Sequence, residues 1–340
     1  MKRVVTFGEI MLRLSPRGYE RLLQSPCFEA AFGGAEANVA VSLANFGMES
    51  IYVTKVPQNP IGLAALAELK KFGVDTSFCV LGGERLGVYY LEKGASQRPS
   101  LCVYDRKNSA LSEAEPKDFD WQKIFKGASA FHWTGVTPAL SKKAAAICLE
   151  ASRAAKKMGL TVFCDLNYRK KLWTKAQAKK TMTELCRHVD VCLLNEEDAE
   201  NVFGIKAAAS DVQEGRLSAK GYQDVAKKLC QAFPFKAVAI SQRESHSASD
   251  NSWSGIFYDG KNCFFSKKHE LRLVERVGGG DAFAAGIIYS LLNKFPPKKA
   301  VEFAAAAGAL KQTIEGDFNR VSAAEVERLA SGDGSGRVLR

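Results

Sequence analysis

Lys142–Asn167, KKAAAICLEASRAAKKMGLTVFCDLN, carries the reading that decides the fold. Its apolar residues recur at helical spacing as far as Met158, Gly159 closes the run, and Thr161-Val162-Phe163-Cys164 reads as a buried strand. The same unit recurs toward the N-terminus. Val4-Val5-Thr6-Phe7 reads as a strand, and Glu36 to Phe46 places Val39, Leu43 and Phe46 on one helical stripe closed by Gly47. Ile51-Tyr52-Val53 is the next strand and Ile61 to Phe72, closed by Gly73, the next helix. Repeated strand–helix units predict an α/β protein with a mainly parallel sheet covered by helices on both faces.

In such a sheet ligands bind in the crevice beyond the carboxyl ends of the strands. Polar residues stand at those ends: Gly8-Glu9 after Phe7, Thr134-Gly135 after Trp133, Asp165-Leu166-Asn167 after Cys164, Asn195-Glu196 after Leu194, and Ser241 after Ile240. Several are expected to face one crevice. Two stretches break the alternation. Residues 86–92 and 101–105 read as a β-hairpin joined by the polar run Lys93 to Pro99, and residues 11–32, rich in Arg, Pro and Gly, lack a long helical stripe. Together they predict a small β-rich excursion that serves as a lid. Residues 331–340 are too Gly-rich and polar to pack, which predicts a flexible tail.

Composition narrows the function. The 340 residues, 46% hydrophobic and 25% charged, suffice for a large core. No apolar run reaches the roughly 20 residues of a membrane span, and Met1-Lys2-Arg3 leads into a strand without a signal-peptide segment, so a soluble, cytoplasmic protein is expected. The nine cysteines include no C-x-x-C pair, which argues for reduced thiols over disulfides or a zinc site. Lys+Arg exceed Asp+Glu by 48 to 37, a net charge of +11. The excess is scattered in pairs such as Lys142-Lys143 and Lys298-Lys299 on segments that read as solvated helix faces. No nucleic-acid partner is expected; the diffuse positive field suits a small anionic substrate.

Two glycine-rich segments carry the chemistry. In Glu275-Arg276-Val277-Gly278-Gly279-Gly280-Asp281-Ala282-Phe283, three glycines turn backbone N–H groups toward one point, and the helix start that follows adds its positive dipole end. The segment predicts an anion hole. A carboxylate at Asp281 would repel phosphate unless it had another task, such as taking a proton from an attacking hydroxyl; a helix-capping Asp is the plain alternative. Phe32-Gly33-Gly34-Ala35-Glu36-Ala37-Asn38 is a second glycine-led helix start that a polar ligand can approach. No Walker loop is present, and no G-x-G-x-x-G follows the first strand. His132, His188, His246 and His269 are isolated, as structural or surface histidines are.

These two blocks together resemble the signatures of the ribokinase-like (PfkB) carbohydrate kinases. Within that family the likeness is greatest to kinases of 2-keto-3-deoxygluconate, through Gly8 to Leu14, Gly94 to Ser100, Tyr104-Asp105-Arg106, Asp165 to Arg169 and Gly316-Asp317-Phe318-Asn319. The resemblance implies a ribokinase-like three-layer α/β/α core with a mainly parallel, Rossmann-like sheet (residues 1–10, 33–85 and 109–330) and a small β-sheet lid (11–32 and 86–108). It implies ATP as donor and Mg2+ as charge neutraliser, with a monovalent cation as a possible further ion. Asp281 would be the base, with the amides of Gly278, Gly279 and Gly280 stabilising the transferring group. Gly34, Asn38, Tyr89, Tyr104, Arg106 and Arg169 would hold the sugar acid. Both arginines offer a planar fork to its carboxylate, a cation that a neutral sugar does not need. Asn195, Ser241, Gly278 and Gly280 would serve the nucleotide, and Asp198 the metal, through water.

Three departures from the family pattern stand out. Glu275 and Arg276 replace an Asp and a Thr, Asp198 replaces a Glu, and Ser241 to His246, read as a nucleotide loop, lacks the usual glycine. The expected reaction is transfer of the γ-phosphoryl group of ATP to the terminal hydroxyl of 2-keto-3-deoxygluconate, giving 2-keto-3-deoxy-6-phosphogluconate. The alternatives are a kinase of a neutral sugar such as fructose or ribose and a noncatalytic sugar-acid sensor, though a sensor has no need of the Gly-Gly-Gly-Asp base. The lid would expose apolar residues on one sheet face unless a second lid or the substrate covers it, which predicts a homodimer through the lid. The expected partners are therefore a sugar acid and ATP, with neither nucleic acid nor membrane.

Overall fold

In a computed structural model, which describes residues 2–207, 212–213, 216–217 and 219–334, Lys142–Lys157 forms the expected helix. The Ser141 hydroxyl accepts from the Ala144 amide at its start, and Gly159, at φ 78°, lets the chain turn back into the strand Thr161–Asp165. Side chains of that strand alternate. Val162 and Cys164 pack with Ile147, Cys148 and Ala151 of the helix, whereas Phe163 faces the opposite layer beside Val39, Phe283 and Ala304. Helices thus cover both faces, and the strand's centre, Val162 to Cys164, is hydrophobic on both sides because neither meets water.

The main sheet has nine strands. Across it run Cys263–Phe265, Asp250–Tyr258, Ala237–Ser245, Val191–Asn195, Thr161–Asp165, Ala130–Thr134, Arg3–Phe7 and Glu49–Val53, with His269–Arg272 also pairing on Asp250–Tyr258. The six strands from Ala237–Ser245 to Glu49–Val53 are parallel and the remainder antiparallel. Their carboxyl ends therefore open on one edge, the edge that carries the polar strand-end residues.

A second sheet of four strands stands over that edge, in the order Glu29–Gly33, Met11–Ser15, Gly87–Glu92, Leu101–Asp105. Met11, Tyr89 and Leu91 form a small buried cluster on one of its faces, against Val277 of the glycine-rich segment. Its outer strand, Leu101–Asp105, leaves Leu101, Val103 and Tyr104 exposed.

One expectation changes. Ser241 to Ser245 is a continuation of the strand Ala237–Ser245, paired residue by residue from Ser241 opposite Gly255 to Ser245 opposite Asn251. Without a glycine the chain has no reason to leave the ladder, and Asp250–Tyr258 supplies the hydrogen bonds. Of the tail expected at 331–340, residues 335–340 lie outside the described residues. Among the described residues, no helix is long and apolar enough to cross a membrane.

Candidate active site

The two sheets enclose a cleft of about 540 Å³ at the carboxyl edge. Its floor is the glycine triplet. Gly278, at φ 84°, is the N-cap of the helix Gly279–Leu292, with no side chain capping the end, so the first amides stay free for an anion. A Cβ at Gly278 would lie 2.3 Å from the Asp317 carbonyl oxygen, so only glycine fits. A Cβ at Gly280 would meet open space in the cleft, whereas one at Gly279 would lie 3.0 Å from the Gln312 side chain.

Asp281 follows on the first turn. It keeps part of its surface open to the cleft, yet burial pushes its carboxyl pKa up to about 6, against the Asn38 side chain, which donates to Oδ2 at 2.6 Å and favours the anion. Asn38 in turn accepts from the Gly34 amide at 3.3 Å, so the two glycine-led helix starts meet at one carboxylate across 243 residues of chain. Gly34 also lets the chain pass close to the end of the first strand: a Cβ there would lie 2.0 Å from the Glu9 carbonyl oxygen.

Tyr89, Tyr104, Arg106 and Arg169 all line the cleft as well, but their engagements differ. The Tyr89 hydroxyl donates to Asp317, and its ring stacks on Tyr104 with centroids 5.9 Å apart. Arg106 is already paired. Its Nε donates to Glu9 at 2.7 Å and its Nη2 closes the ion pair, with Ser109 on the other Glu9 oxygen. The free fork expected of Arg106 is thus committed to Glu9, and the guanidinium lies 5.6 Å over the Tyr104 ring. Arg169 is exposed beyond the strand Thr161–Asp165, and among the described residues its only side-chain hydrogen bond is from Nη1 to the Tyr168 carbonyl. Asn167, at φ 39°, makes the turn that leads the chain from the strand end to Arg169. Of the two arginines, Arg169 is the one free to receive a carboxylate.

On the far side of the cleft lie Asn195, Asp198 and Ser241. The Asp198 oxygens accept the amides of Tyr168 and Asn195, both at 3.1 Å, so this carboxylate organises the loop between two strand ends. The Asp165 carboxyl is pushed well above the usual range, first by burial and then by the charges of Asp198 and Asp281. Such a set of crowded carboxylates beside an anion hole suits a divalent cation that arrives with phosphate, since Mg2+ takes one or two carboxylates and keeps several waters. Among the described residues no group of three or more His, Cys, Asp or Glu side chains is placed to hold a metal ion by itself.

Arg13, Arg243 and Arg276 also take part in the site, without having been expected there. Arg13, from the four-stranded sheet, donates to Asp317 at 2.6 Å and to Glu275 at 2.5 Å, bonds that span 304 and 262 residues. Arg243 and Arg276 approach each other in the cleft. Arg276 donates to Ser245 and Asn251, Arg243 lies 5.4 Å over the Trp253 ring, and the Nε atoms of both are buried without an acceptor. Burial first, and then the Arg276 charge, lowers the Arg243 pKa to about 10. Two confined cations with unused donors fit a polyanion. The sequence signal was their departure from the family pattern at Arg276 and along Ser241 to His246.

A family model described as pfkB family carbohydrate kinase matches residues 1–321. A 2-dehydro-3-deoxygalactonokinase of Haloferax volcanii is 32% identical over 98% of this chain and 98% of its own length. A 2-dehydro-3-deoxygluconokinase of Bacillus subtilis is 30% identical over 96% and 94%. The crystal structure of a 2-dehydro-3-deoxygluconokinase from Thermotoga maritima superposes with a TM-score of 0.94 at 48% identity, covering 98% of this chain and 100% of that one.

Proposed function

The chain belongs to the pfkB family of carbohydrate kinases and has its ribokinase-like α/β fold, and on that premise we propose that it transfers the γ-phosphoryl group of ATP to the terminal hydroxyl of 2-keto-3-deoxygluconate. The observation that carries the reaction is Asp281 on the first turn behind the Gly278 N-cap, with Asn38 steering its carboxylate. A phosphoryl group on the free amides at Gly278 and Gly280 stands beside a carboxylate that can accept the proton of an incoming alcohol. Gly278 and Gly280 grip the transferring group; Arg243 and Arg276 hold the rest of the donor's phosphate chain, with Ser241 and Asn195 lining its path. Asp165 and Asp198 would hold Mg2+ that arrives with the donor, through water, and the ion would neutralise phosphate charge.

The acceptor side favours an acid sugar. Arg169 presents an unpaired guanidinium at the mouth of the cleft, Tyr89 and Tyr104 form one wall, and Gly34 and Asn38 the opposite one. Arg106, held by Glu9, supplies positive field and shape to that wall. The relatives named as kinases of 2-dehydro-3-deoxy sugar acids support the same substrate class. The four-stranded sheet, residues 11–32 and 86–108, acts as the lid that excludes water as a competing acceptor, and its exposed outer strand as the contact in a homodimer.

Steady-state kinetics with ATP on 2-keto-3-deoxygluconate and fructose, side by side, tests the reading. The sugar acid is expected to have the higher kcat/KM, and Arg169→Ala to raise its KM by about 10-fold or more, as loss of a charge-assisted bidentate contact does, with little change for fructose. Equal use of fructose, or an Arg169→Ala enzyme with unchanged KM for the acid, contradicts it.

A further inference from the structure

Lys311, the last residue of the helix Pro297–Lys311, is wholly buried. Burying an ammonium is costly unless something answers its charge. Among the described residues no carboxylate lies within ion-pair distance of Nζ. It donates instead to main-chain carbonyls, to Gly316 at 2.5 Å and to Ile314 at 3.3 Å. Its stem passes under the anion hole: a Cβ at Gly278 would lie 2.9 Å from Lys311 Cε and 3.2 Å from Cδ. The charged groups that face it at longer range are Glu275, Asp317 and Asp281, which favour the ammonium, and Arg13, which opposes it.

A set of carbonyl oxygens around a dehydrated positive charge is also how a protein holds a small monovalent ion. Here the chain places its own cation among them, and phosphoryl transfer gains most from charge fixed before the reaction starts. We propose that Lys311 is a positioning residue and the site's built-in monovalent cation: its ammonium, held by the carbonyls of Ile314 and Gly316, pins the Gly278 turn and places fixed positive charge beneath the transferring group. The inference rests on the phosphoryl-transfer reading above but not on which alcohol accepts, so any sugar that the wild-type enzyme phosphorylates serves for the test. An enzyme with no turnover on any sugar would refute that reading itself.

Turnover of the wild-type enzyme is measured with potassium, sodium or tetramethylammonium as the only monovalent cation. The expected kcat is the same in all three within about 2-fold, because the charge is already present. Activation by potassium over tetramethylammonium of about 10-fold or more would overturn the proposal, since an occupied carbonyl site has no place for an added ion. This arm needs no variant.

Lys311→Met keeps the stem and removes the charge; kcat is expected to fall about 10- to 100-fold with sugar KM within about 3-fold. Burial lowers the Lys311 pKa to about 8, and the ammonium in turn holds Asp281 down. The wild-type rate should therefore decline as pH rises through that region. In Lys311→Met this alkaline limb should vanish and the acid limb set by Asp281 move to higher pH. In a folded Lys311→Ala enzyme, ammonium or methylammonium ions should restore part of kcat. A Lys311→Met enzyme with wild-type kcat and pH profile, or a folded, impaired Lys311→Ala enzyme that no small cation rescues, would overturn the proposal.

Discussion

Asp281 acquires its proposed role from position more than from residue type. Burial raises its pKa to about 6, whereas the Asn38 side chain and the more distant charges of Arg169 and Lys311 keep it from rising further. A base must be ionised, so kcat is expected to fall as pH drops through about 6 and to be level just above it; a pH–rate profile flat from pH 5 to 7 would contradict the assignment. The sign for stability is opposite. A carboxyl whose folded-state pKa is raised favours the protonated form in the folded protein, so its ionisation weakens the fold as pH rises through about 6. Asp281→Asn should therefore raise Tm at pH 8, by about 1–3 °C for a chain of this size, and leave it nearly unchanged at pH 4. Differential scanning calorimetry at the two pH values checks both signs.

At the scale of elements, a buried ionic group ties the four-stranded sheet to the core. Arg13 and Tyr89 come from neighbouring strands of that sheet, and both reach Asp317, while Arg13 also reaches Glu275 at the head of the glycine-rich segment. Arg13, Glu275 and Asp317 are each no more than 4% exposed. Arg13→Leu would strand two carboxylates beneath the anion hole, and urea unfolding should show a loss of about 3–5 kcal/mol; a loss under about 1 kcal/mol would show that the group is not structural. Local patterning made the strands and helices of the core legible, since Val162, Phe163 and Cys164 announce a two-sided strand by themselves. It also placed Asp281 and Gly278, because glycines ahead of a helix mark a backbone site without any partner being known. The Arg13 pairs and the Lys311 carbonyl contacts were not legible. Their partners are fixed by how the second sheet meets the core, and nothing near Arg13 in sequence specifies Asp317. Arg106 shows the converse: its type and place were legible, but its commitment to Glu9, 97 residues away, was not.

Over the whole molecule, the outer strand of the second sheet leaves the apolar side chains of Leu101 and Val103 exposed, and among the described residues no further strand pairs along its outer edge. A second copy of the chain covers this surface in the proposed dimer. Sedimentation velocity at micromolar concentration should show a dimer for the wild type and a monomer for Val103→Asp; a monomeric wild type would remove the dimer from the account. The net charge of +11 acts at the same scale, raising the local concentration of an anionic sugar and an anionic nucleotide without selecting between them. In the proposed reaction, selection is left to Arg169 at the mouth of the cleft and chemistry to the carboxylate on its floor.

The most direct measurement is turnover by Asp281→Asn with ATP and 2-keto-3-deoxygluconate, alongside calorimetric titration with ATP. A fall in kcat of about 10³-fold or more with the ATP Kd nearly unchanged is predicted, because the substitution removes the proton acceptor and leaves the anion hole intact. A variant that still turns over within about 10-fold of the wild type would contradict the claim that this carboxylate takes the hydroxyl proton.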